Sequence, residues 1–179
     1  HTQENNQERI YLTVKCPIIE HDEIRGIVGI STDITERKQT EESLRLYANI
    51  FEQTTEAILV TDQNNRIVQV NPALEQITGY SFAELRGHTP SILASGQTPE
   101  VTYRALWTAL TDTGHWQGEL WDKRKDGVIY PKWTNISTIR DASGQPIYYL
   151  ALFTDITERK HAEEHIRHLA HHDKLTGLS

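Results

Sequence analysis

Residues 155–160, Asp-Ile-Thr-Glu-Arg-Lys, decide how the chain is organised, because the same six residues already stand at positions 33–38. The likeness extends to both sides of the two copies. A Glu-Glu pair follows each copy at the same distance, and the dipeptide Ile-Tyr precedes them at 10–11 and 129–130. The copies are 122 positions apart, which is far longer than a solenoid repeat and close to one small domain plus a linker. The sequence therefore predicts tandem modules joined by helices.

This repeat divides the chain into five segments. We expect residues 1–33 to be the C-terminal strands of a preceding domain, 34–50 a connector helix, 51–157 a complete domain, 158–172 a signalling helix and 173–179 the start of another domain. The complete domain has roughly 105 residues, which is enough to bury a core. The chain begins with His and ends with Ser, as expected for a segment cut from a longer protein.

The overall composition is that of an ordinary globular protein, with 37% hydrophobic and 24% charged residues. The formal net charge is −7 and no long run of Lys or Arg occurs, which argues against nucleic acid as a partner. No apolar run approaches the ~20 residues needed to cross a bilayer, so we expect no membrane span in this segment. The single cysteine, Cys16, excludes an internal disulfide framework and fits a reducing compartment. A cytoplasmic protein is therefore predicted.

Both connectors begin with the same predicted cap and carry apolar residues in the same phase. In the first connector, Asp33-Ile34-Thr35-Glu36 has the pattern of a capping box, in which the Asp side chain accepts from the third helical N–H and Glu36 reaches back. A helix to about Gln53 follows. Apolar residues then recur at a 4,3,4 spacing, which predicts a seam for a partner helix and hence a homodimer. The seam positions are Thr40, Leu44, Tyr47 and Phe51 in the first connector and Ala162, Ile166 and Leu169 in the second.

The first half of the complete domain has the pattern of a hairpin followed by short helices. Strand-like runs at 57–61 and 66–70 flank a polar turn. Asn71-Pro72 then has the residues of a helix start, with Asn as the cap and Pro in the first position. Short helical stretches follow, separated by glycines.

The second half combines one longer helix with three strands. The helix is predicted from a cap at Thr98, with Pro99 in the first position, to a terminator at Gly114. Of the three strands that follow, the last at 147–155 is apolar at nearly every position. Such a strand is expected to be covered on both faces.

This order of elements, together with several short motifs, resembles a PAS domain throughout residues 51–157. Each motif is weak alone, but all occur in the expected order. They are Asn71-Pro72-Ala73, Thr78-Gly79-Tyr80, Gly118-Glu119-Leu120-Trp121, Arg124-Lys125-Asp126-Gly127 and Asp155-Ile156-Thr157. The resemblance implies an α+β fold with a five-stranded antiparallel sheet flanked by short helices, connector helices at both ends, and a pocket for a ligand or cofactor. By the repeat, residues 1–33 would be the last strands of a preceding PAS domain.

Residues 172–178, His-Asp-Lys-Leu-Thr-Gly-Leu, resemble the entrance to a GGDEF domain, which in diguanylate cyclases condenses two GTP into cyclic di-GMP. The Gly-Gly-Asp/Glu-Glu-Phe motif itself does not occur in the chain. We therefore expect a regulatory segment that is not itself an enzyme. The resemblance implies that it precedes a GGDEF output domain in a protein of the diguanylate cyclase type.

Among PAS domains, the chain is most similar to the FAD-binding redox sensors of the NifL and Aer type. The matching residues are Ser91-Ile92-Leu93, Gln97-Thr98-Pro99, Ala105-Leu106-Trp107, Trp116 and Gly118. This resemblance implies that Trp107 packs against a flavin ring. In these proteins an Asn stands at the position of Asp122 and hydrogen-bonds the polar edge of the ring. An amide both donates and accepts hydrogen bonds, whereas the carboxylate of Asp122 can only accept them. Pro90 stands where these proteins have a Glu. FAD is thus a weakened candidate, and the identity of the ligand stays open.

The predicted pocket residues are Trp107, Asp122, Trp116 and Tyr103. Strand alternation places Asp122 on the same face as Trp116, and this face is the pocket wall if it points inwards. There is an alternative for each of the two main residues. Trp107 would simply fill the core as part of the helix's apolar stripe. Asp122 would pair in solvent with one of its neighbours, namely Lys123, Arg124 or Lys125.

Other prosthetic groups fit the sequence less well. Residues 51–157 contain no Cys to attack a flavin, as light-sensing LOV domains require, and the longer helix has no His to bind haem. The second connector has histidines at a 4,3,4 spacing. They are His161, His165, His168 and His172. No Cys or carboxylate completes a ligand set, so we assign them to a solvated helix flank and expect no metal site.

Asp155 and Thr157 are the predicted relay residues. We expect them to lock the end of the last strand to the start of the second connector, so that strain in the sheet moves the helix. The sequence therefore predicts a sensor that relays ligand or redox state through a dimeric helix to a GGDEF output domain. The alternative is a ligand-free PAS domain that acts as a dimerisation and relay spacer.

Overall fold

The computed structural model describes residues 8–173, and the chain divides between Ile50 and Phe51 into two compact units. The first unit contains two paired antiparallel strands and the beginning of a long helix. These elements are β1 (Tyr11–Glu20), β2 (Glu23–Asp33) and α1 (Thr35–Gln53). The helix ends where the sequence predicts.

The β1–β2 hairpin turns tightly through His21 and Asp22, whose φ angles are 53° and 63°. Two consecutive residues in the left-handed region occur in type I′ turns, whose twist matches that of the flanking strands. Both faces of the hairpin carry exposed apolar side chains, for example Val14 and Ile30 on one face and Tyr11 and Ile27 on the other. The hairpin alone therefore encloses no core, and a single two-stranded hairpin is marginally stable in water.

The repeated dipeptide Ile-Tyr does not mark equivalent positions in the two units. In the first unit Tyr11 pairs with Asp33, whereas in the second Lys132 pairs with Asp155. Tyr11 thus has the place of Lys132, and residues 129–130 lie further towards the strand's N-terminus. The two Ile-Tyr dipeptides are therefore alike in sequence only, because they occupy different positions in the strand pairing of the two units.

The second unit is an α+β domain built on one antiparallel sheet with the strand order β4-β3-β7-β6-β5. The strands are β3 (Ala57–Asp62), β4 (Ile67–Val70), β5 (His115–Lys123), β6 (Ile129–Arg140) and β7 (Pro146–Asp155). The helices are α2 (Pro72–Thr78), α3 (Phe82–Leu85), a 3₁₀ helix (Pro90–Leu93), α4 (Glu100–Asp112) and α5 (Thr157–Asp173). The predicted architecture of five antiparallel strands with flanking helices is confirmed.

Two clusters of apolar side chains on the inner face of the sheet form the core. The first includes Leu74 of α2, Leu85 of α3 and Phe153 of β7. The second joins Leu110 of α4 to Leu120 of β5. Side chains alternate between the faces of each strand, so one face of the sheet lies under the helices. Both clusters contribute to the walls of the same cavity.

The other face of strand β7 is only partly covered within the second unit. Leu150 and Leu152 are half-buried there, and Tyr148 is exposed. Within the second unit the predicted cover of β7 is therefore complete on one face only, and a cover of the outer face by a connector helix or a second subunit stays a prediction.

Asn71 begins helix α2 as predicted, with its Oδ1 accepting from Leu74 N at 3.1 Å and Pro72 in the first position. The same fully buried side chain also binds the backbone of the hairpin before it. Its Oδ1 accepts from Ile58 N at 2.8 Å, and its Nδ2 donates to Glu56 O at 2.9 Å. One amide therefore both caps α2 and fastens it to β3.

Helix α4 ends as predicted but begins differently. Gly114, with a φ of 74°, follows its last turn. The helix starts at Glu100, Pro99 occupies the cap position in an extended conformation, and the predicted cap by Thr98 is wrong. Thr98 Oγ1 instead accepts from Trp121 N at 2.8 Å, which ties the segment before α4 to the edge strand β5.

The capping box predicted at the start of α1 is also wrong in its geometry. Asp33 still belongs to β2, and the helix begins two residues later at Thr35. Asp33 Oδ1 accepts from Thr35 N at 2.9 Å and from Thr35 Oγ1 at 2.5 Å. The carboxylate therefore closes the turn from strand to helix and does not reach the third helical N–H.

Candidate functional site

A cavity of about 310 Å³ lies between the inner face of the sheet and helix α4. Its walls are mostly apolar, with Leu59 of β3, Leu93 of the 3₁₀ helix and Leu106 of α4 among them. Ligand pockets commonly measure about 300–1,000 Å³, so this cavity suits one ring system or a small metabolite. The pocket that the sequence predicts between sheet and helices is thus present.

Trp107 and Tyr103, two of the predicted pocket residues, line the cavity from α4. The Trp107 ring meets the Tyr149 ring edge-on, with the centroids 5.6 Å apart. Trp107 is 40% exposed, so the interpretation that it simply fills the core is wrong. It lies where the cavity meets solvent.

Trp116, a third predicted pocket residue, is not among the residues that line the cavity. Its ring covers Gly118, where a Cβ atom would come within 2.6 Å of the ring. Trp116 also packs beside the cluster that contains Leu120. Its place in the fold is that of a packing residue on the edge strand β5, and Gly118 is needed to accommodate it.

Asp122 lies on the inner face of β5 and is 4% exposed. Its Oδ2 is 2.6 Å from Nζ of Lys132, which projects from the neighbouring strand β6. The alternative in which Asp122 pairs in solvent with Lys123, Arg124 or Lys125 is therefore wrong. Burial raises the pKa of the Asp122 carboxyl, and the Lys132 ammonium opposes that rise. The cavity wall thus contains a buried ion pair.

Further buried polar atoms lie at the cavity without a partner. Thr61 and Thr134 line it and are each 1% exposed, and neither hydroxyl forms a hydrogen bond to any described residue. A buried polar group left unpaired costs about 1–3 kcal/mol. These atoms indicate a wall built for a polar partner.

The segment before α4 closes the cavity against strand β5. Ala94 forms an isolated antiparallel bridge with Asp122. Ser95 Oγ donates to Trp121 O at 2.6 Å, beside the bond from Trp121 N to Thr98. The backbone that carries Asp122 is therefore fixed on its outer edge, and this fixes the direction of the carboxylate.

Asp155 joins three parts of the domain at the start of α5. Its Oδ1 accepts from Thr157 N at 2.8 Å and from Thr157 Oγ1 at 2.5 Å, while its Oδ2 binds the guanidinium of Arg124. Arg124 also donates to the main-chain carbonyl of Ile77 in α2, and its guanidinium lies 4.4 Å above the ring of Tyr130. The turn into α5 is thus fastened to the β5–β6 hairpin and to α2.

Tyr130 is a buried neighbour of both ion pairs. It lies directly opposite Asp122 in the pairing of β5 with β6. Burial raises the pKa of its hydroxyl, the negative charge of Asp122 raises that pKa further, Arg124 lowers it and Asp155 raises it. The cavity pair and the Arg124–Asp155 pair therefore act on one side chain.

The first turn of α5 is held on the outer face of the sheet. Lys160 Nζ is 2.5 Å from Glu119 Oε1 and 5.1 Å from the centroid of the Trp121 ring. Further along, the seam residue Ile166 is exposed. The side chain of Leu169, the next seam position, lies outside the described residues.

Some predictions concern parts of the chain that the structure does not describe. Residues 174–179, which hold most of the GGDEF-like stretch, lie outside the described residues, as do all side chains from His168 onwards. Between residues 8 and 173, no helix has the length and apolar character needed to cross a bilayer. Among the side chains that are described, no His, Cys, Asp and Glu converge in a group of three or more that would hold a metal.

Sequence reasoning does not identify Lys132, Thr61 or Thr134 as site residues. Strand alternation contains a signal for the first of them, because Lys132 shares its strand face with Thr134 and Tyr130. A lysine at an inward position needs a partner or a ligand. The two threonines give no comparable signal, since Thr is common in ordinary strands.

A profile of the PAS family, described as the PAS fold, matches residues 45–156. The nitrogen fixation regulatory protein of Klebsiella oxytoca is 34% identical over 128 residues, which are 72% of this chain and 26% of that protein. An Escherichia coli K12 protein described as "Probable diguanylate cyclase DgcE" is 27% identical over 132 residues, which are 72% of this chain and 12% of that protein. The chain thus spans about a quarter or less of these relatives.

Solved structures give the same result. The PAS domain of a Colwellia psychrerythraea protein aligns with a TM-score of 0.61 at 28% identity, covering 65% of this chain and 98% of that one. An RNA-binding light-oxygen-voltage receptor aligns with a TM-score of 0.66 at 21% identity, covering 90% of this chain and 44% of that one, which is a likeness of fold alone. Because the family profile covers more than half of the chain and the sheet has the predicted architecture, the chain belongs to the PAS family and contains a sensory domain of the kind found in signalling proteins.

Proposed function

We propose that the PAS domain of residues 51–157 is a sensor that binds a small ligand in its cavity and relays the ligand's state to helix α5. FAD is the leading candidate. Paired helices of a homodimer pass the change to a GGDEF output domain in the same chain, beginning near residue 173, and residues 1–33 end a preceding PAS domain. The segment is regulatory and cytoplasmic, and the output domain carries the chemistry.

The cavity with its buried polar end is the observation that carries this proposal. The apolar walls suit a ring, and Asp122, Lys132 and Thr134 can orient it. The predicted residues Trp107 and Tyr103 line the same cavity. A domain that served only as a spacer would gain stability by filling this volume, because cavities in a core cost free energy.

Asp122 and Lys132 together can meet the hydrogen-bonding needs of a flavin ring, whereas Asp122 alone lacks a donor. The resemblance to FAD-binding PAS domains implies an amide at position 122, which both donates and accepts. In this chain Asp122 accepts and Lys132 supplies the donor. About 310 Å³ takes the ring system, so the rest of FAD would extend past Trp107 towards solvent. When bound, a flavin supplies a redox change that alters the hydrogen bonding of its ring.

The proposed relay runs through the charged residues between the cavity and α5. A change in the contacts of Lys132 alters the field at Tyr130, and with it the balance of the Arg124–Asp155 pair. Asp155 closes the turn into α5, so a weaker hold by Arg124 frees the start of the helix. The relay is wrong if Asp155→Ala, or insertion of residues into α5, leaves the output activity of the full-length protein unchanged.

The dimer and the output domain are supported by the connectors and by one relative. Leu44, Tyr47 and Ile166 are exposed at the predicted seam positions, as expected for residues that await a partner helix. The GGDEF-like residues 172–178 and the similarity to the E. coli protein described as a probable diguanylate cyclase support a cyclic di-GMP output in the same chain.

A second candidate is a ligand-free PAS domain that acts as a dimerisation and relay spacer. It is favoured by the contacts around Asp155, because Arg124 and Thr157 belong to the same domain and their bonds to Asp155 involve no atom of a ligand. Under this candidate the cavity is only an imperfection of packing.

Absorption and fluorescence spectra separate the two candidates. They are recorded on the purified chain, and again on the supernatant after heat denaturation. Released flavin supports the redox sensor, and Asp122→Asn should then bind flavin at least as tightly as the wild type. A colourless protein that stays unchanged after incubation with FAD favours the spacer or a colourless metabolite, which a thermal-shift screen would distinguish.

A further inference from the structure

Lys132 is a buried cation whose hydrogen-bonding capacity is not used up by the protein. Its Nζ contacts Asp122 Oδ2 at 2.6 Å and lies 4.1 Å from the centroid of the Phe153 ring. An ammonium has three N–H donors and accepts nothing. Among the described residues the ammonium has only these two contacts, so one of its three N–H donors is left for a further partner. Because Lys132 lines the cavity, that partner is a molecule inside it.

Thr134 extends the same polar surface. It lies two positions beyond Lys132 on β6, so both side chains point to the same face of the sheet. Its hydroxyl is buried and has no partner among the described residues. Lys132 and Thr134 together offer donors to an acceptor group of the ligand, and Asp122 next to them offers an acceptor.

The charges at this surface decide which ligand it takes. Asp122 and Lys132 form a neutral pair at the mostly apolar cavity. A carboxylate or phosphate would place a second negative charge beside Asp122, where the low dielectric makes repulsion strong. An uncharged group with a carbonyl next to a ring N–H avoids that repulsion, because the carbonyl accepts from Lys132 and the N–H donates to Asp122.

We propose that the Asp122–Lys132 pair, with Thr134, binds the carbonyl and adjacent N–H of an uncharged heterocycle, and that Lys132 is a direct ligand-binding residue. This inference rests on the proposed function, since the uracil-like edge of a flavin has this arrangement of groups. It gives Lys132 a role beyond that of counter-ion to Asp122. When residue 122 is uncharged, removing the Lys132 ammonium should weaken ligand binding if Lys132 contacts the ligand. If Lys132 only balances the charge of Asp122, the same change should leave binding equal or tighter.

The test therefore compares Asp122→Asn with the double variant Asp122→Asn/Lys132→Met in the full chain. Neither variant leaves a buried carboxylate without its cation, and circular dichroism establishes that both are folded. Lumiflavin is titrated by fluorescence, because it is the ring alone without the dinucleotide. Lys123→Met, which changes an exposed lysine next to Asp122 in sequence, is the matched control.

If Lys132 donates to the ligand, the double variant binds lumiflavin about 10- to 100-fold more weakly than Asp122→Asn, as expected for loss of a charge-assisted hydrogen bond. The wild type also prefers lumiflavin to 3-methyllumiflavin, in which the ring N–H is blocked, by about 10-fold or more. Lys123→Met changes neither value.

Each other result has a defined meaning. Equal or tighter binding by the double variant overturns the ligand-binding role of Lys132 and leaves the flavin proposal intact. Equal binding of the two flavins by the wild type overturns the contact between Asp122 and the ring N–H. A wild type that binds neither lumiflavin nor FAD overturns the flavin proposal, and this inference with it.

Discussion

Lys132 and Asp155 lie directly opposite each other in the antiparallel pairing of β6 with β7. Lys132 belongs to the wall of the cavity, and Asp155 closes the turn into α5. Neighbouring strands are about 4.8 Å apart, so the proposed sensing and relay residues are separated by one strand spacing. Coupling between them needs no long chain of intermediates.

Arg124→Met should lower the free energy of unfolding of the second unit by about 1–3 kcal/mol, because it leaves the half-buried Asp155 without its charged partner. Urea unfolding followed by tryptophan fluorescence measures this, since all four tryptophans lie within residues 107–133. Amide hydrogen exchange in the first turn of α5 should become faster. The matched control is Arg159→Met, which removes an exposed pair with Glu163 and should cost less than about 1 kcal/mol. Equal losses for both variants would contradict the assigned role of Arg124.

Thr98→Val should lower the free energy of unfolding by about 1–3 kcal/mol, because it keeps the side-chain shape but leaves the Trp121 N–H without an acceptor. Thr108→Val is the control, since Thr108 is an exposed residue of α4 whose hydroxyl bonds within the helix. Its effect should stay within about 0.5 kcal/mol. Urea unfolding compares the two, and similar values would mean that Thr98 does not fasten the segment to β5.

Gly118→Ala should destabilise the domain by about 1–3 kcal/mol, because the new Cβ meets the Trp116 ring at 2.6 Å. Adding Trp116→Leu to this variant should recover part of the loss, since the smaller side chain makes room. Trp116→Leu alone should leave ligand affinity unchanged, because Trp116 does not line the cavity. A large loss of affinity would restore Trp116 to the binding site.

The stability of the wild type should depend on pH through Asp122. Burial raises the pKa of this carboxyl above its ordinary value of 3.8, so the folded protein holds the proton more tightly than the unfolded chain. Between the two pKa values, the free energy of unfolding therefore falls as pH rises, and above the folded pKa it levels off.

The comparison uses urea unfolding of the wild type and of Asp122→Asn/Lys132→Met from about pH 4 to pH 7. The difference, wild type minus double variant, should fall with rising pH. The hydrogen bond from Lys125 lowers the pKa of Glu84 to about 2, but both proteins share this carboxyl and its effect cancels. A difference that rises with pH would mean that the pairing with Lys132 outweighs burial.

Much of the fold follows from local signals in the sequence. Asn71 before Pro72 predicts the start of α2, and Gly114 predicts the end of α4, because the conformations needed there suit few residues. The order of strands and helices follows from periodicity and from the turn residues between them. These signals act over a few residues, so helix ends and the order of elements can be predicted from them without the tertiary structure.

The site depends on contacts between residues far apart in the chain, and it is predicted less well. Thr98 has the sequence context of a cap, yet its partner is Trp121 on a strand that follows α4. Asp122 has three basic neighbours in sequence, but strand register brings Lys132 to it instead. Register is set by the whole sheet, so neither pairing can be read from a local pattern.

The two copies of Asp-Ile-Thr form joints that differ in their exposure to mobile ions. The side chains of Arg124 and Asp155 are 26% and 21% exposed, whereas those of Arg9 and Asp33 are 68% and 42% exposed with their charges 3.8 Å apart. Dissolved salt weakens the attraction between exposed charges, with a Debye length of about 8 Å at physiological ionic strength that shortens as salt is added, and it affects covered pairs much less. The attraction between Arg9 and Asp33 therefore weakens more than that between Arg124 and Asp155 as salt concentration rises, so two junctions of identical sequence respond differently to the same ionic strength.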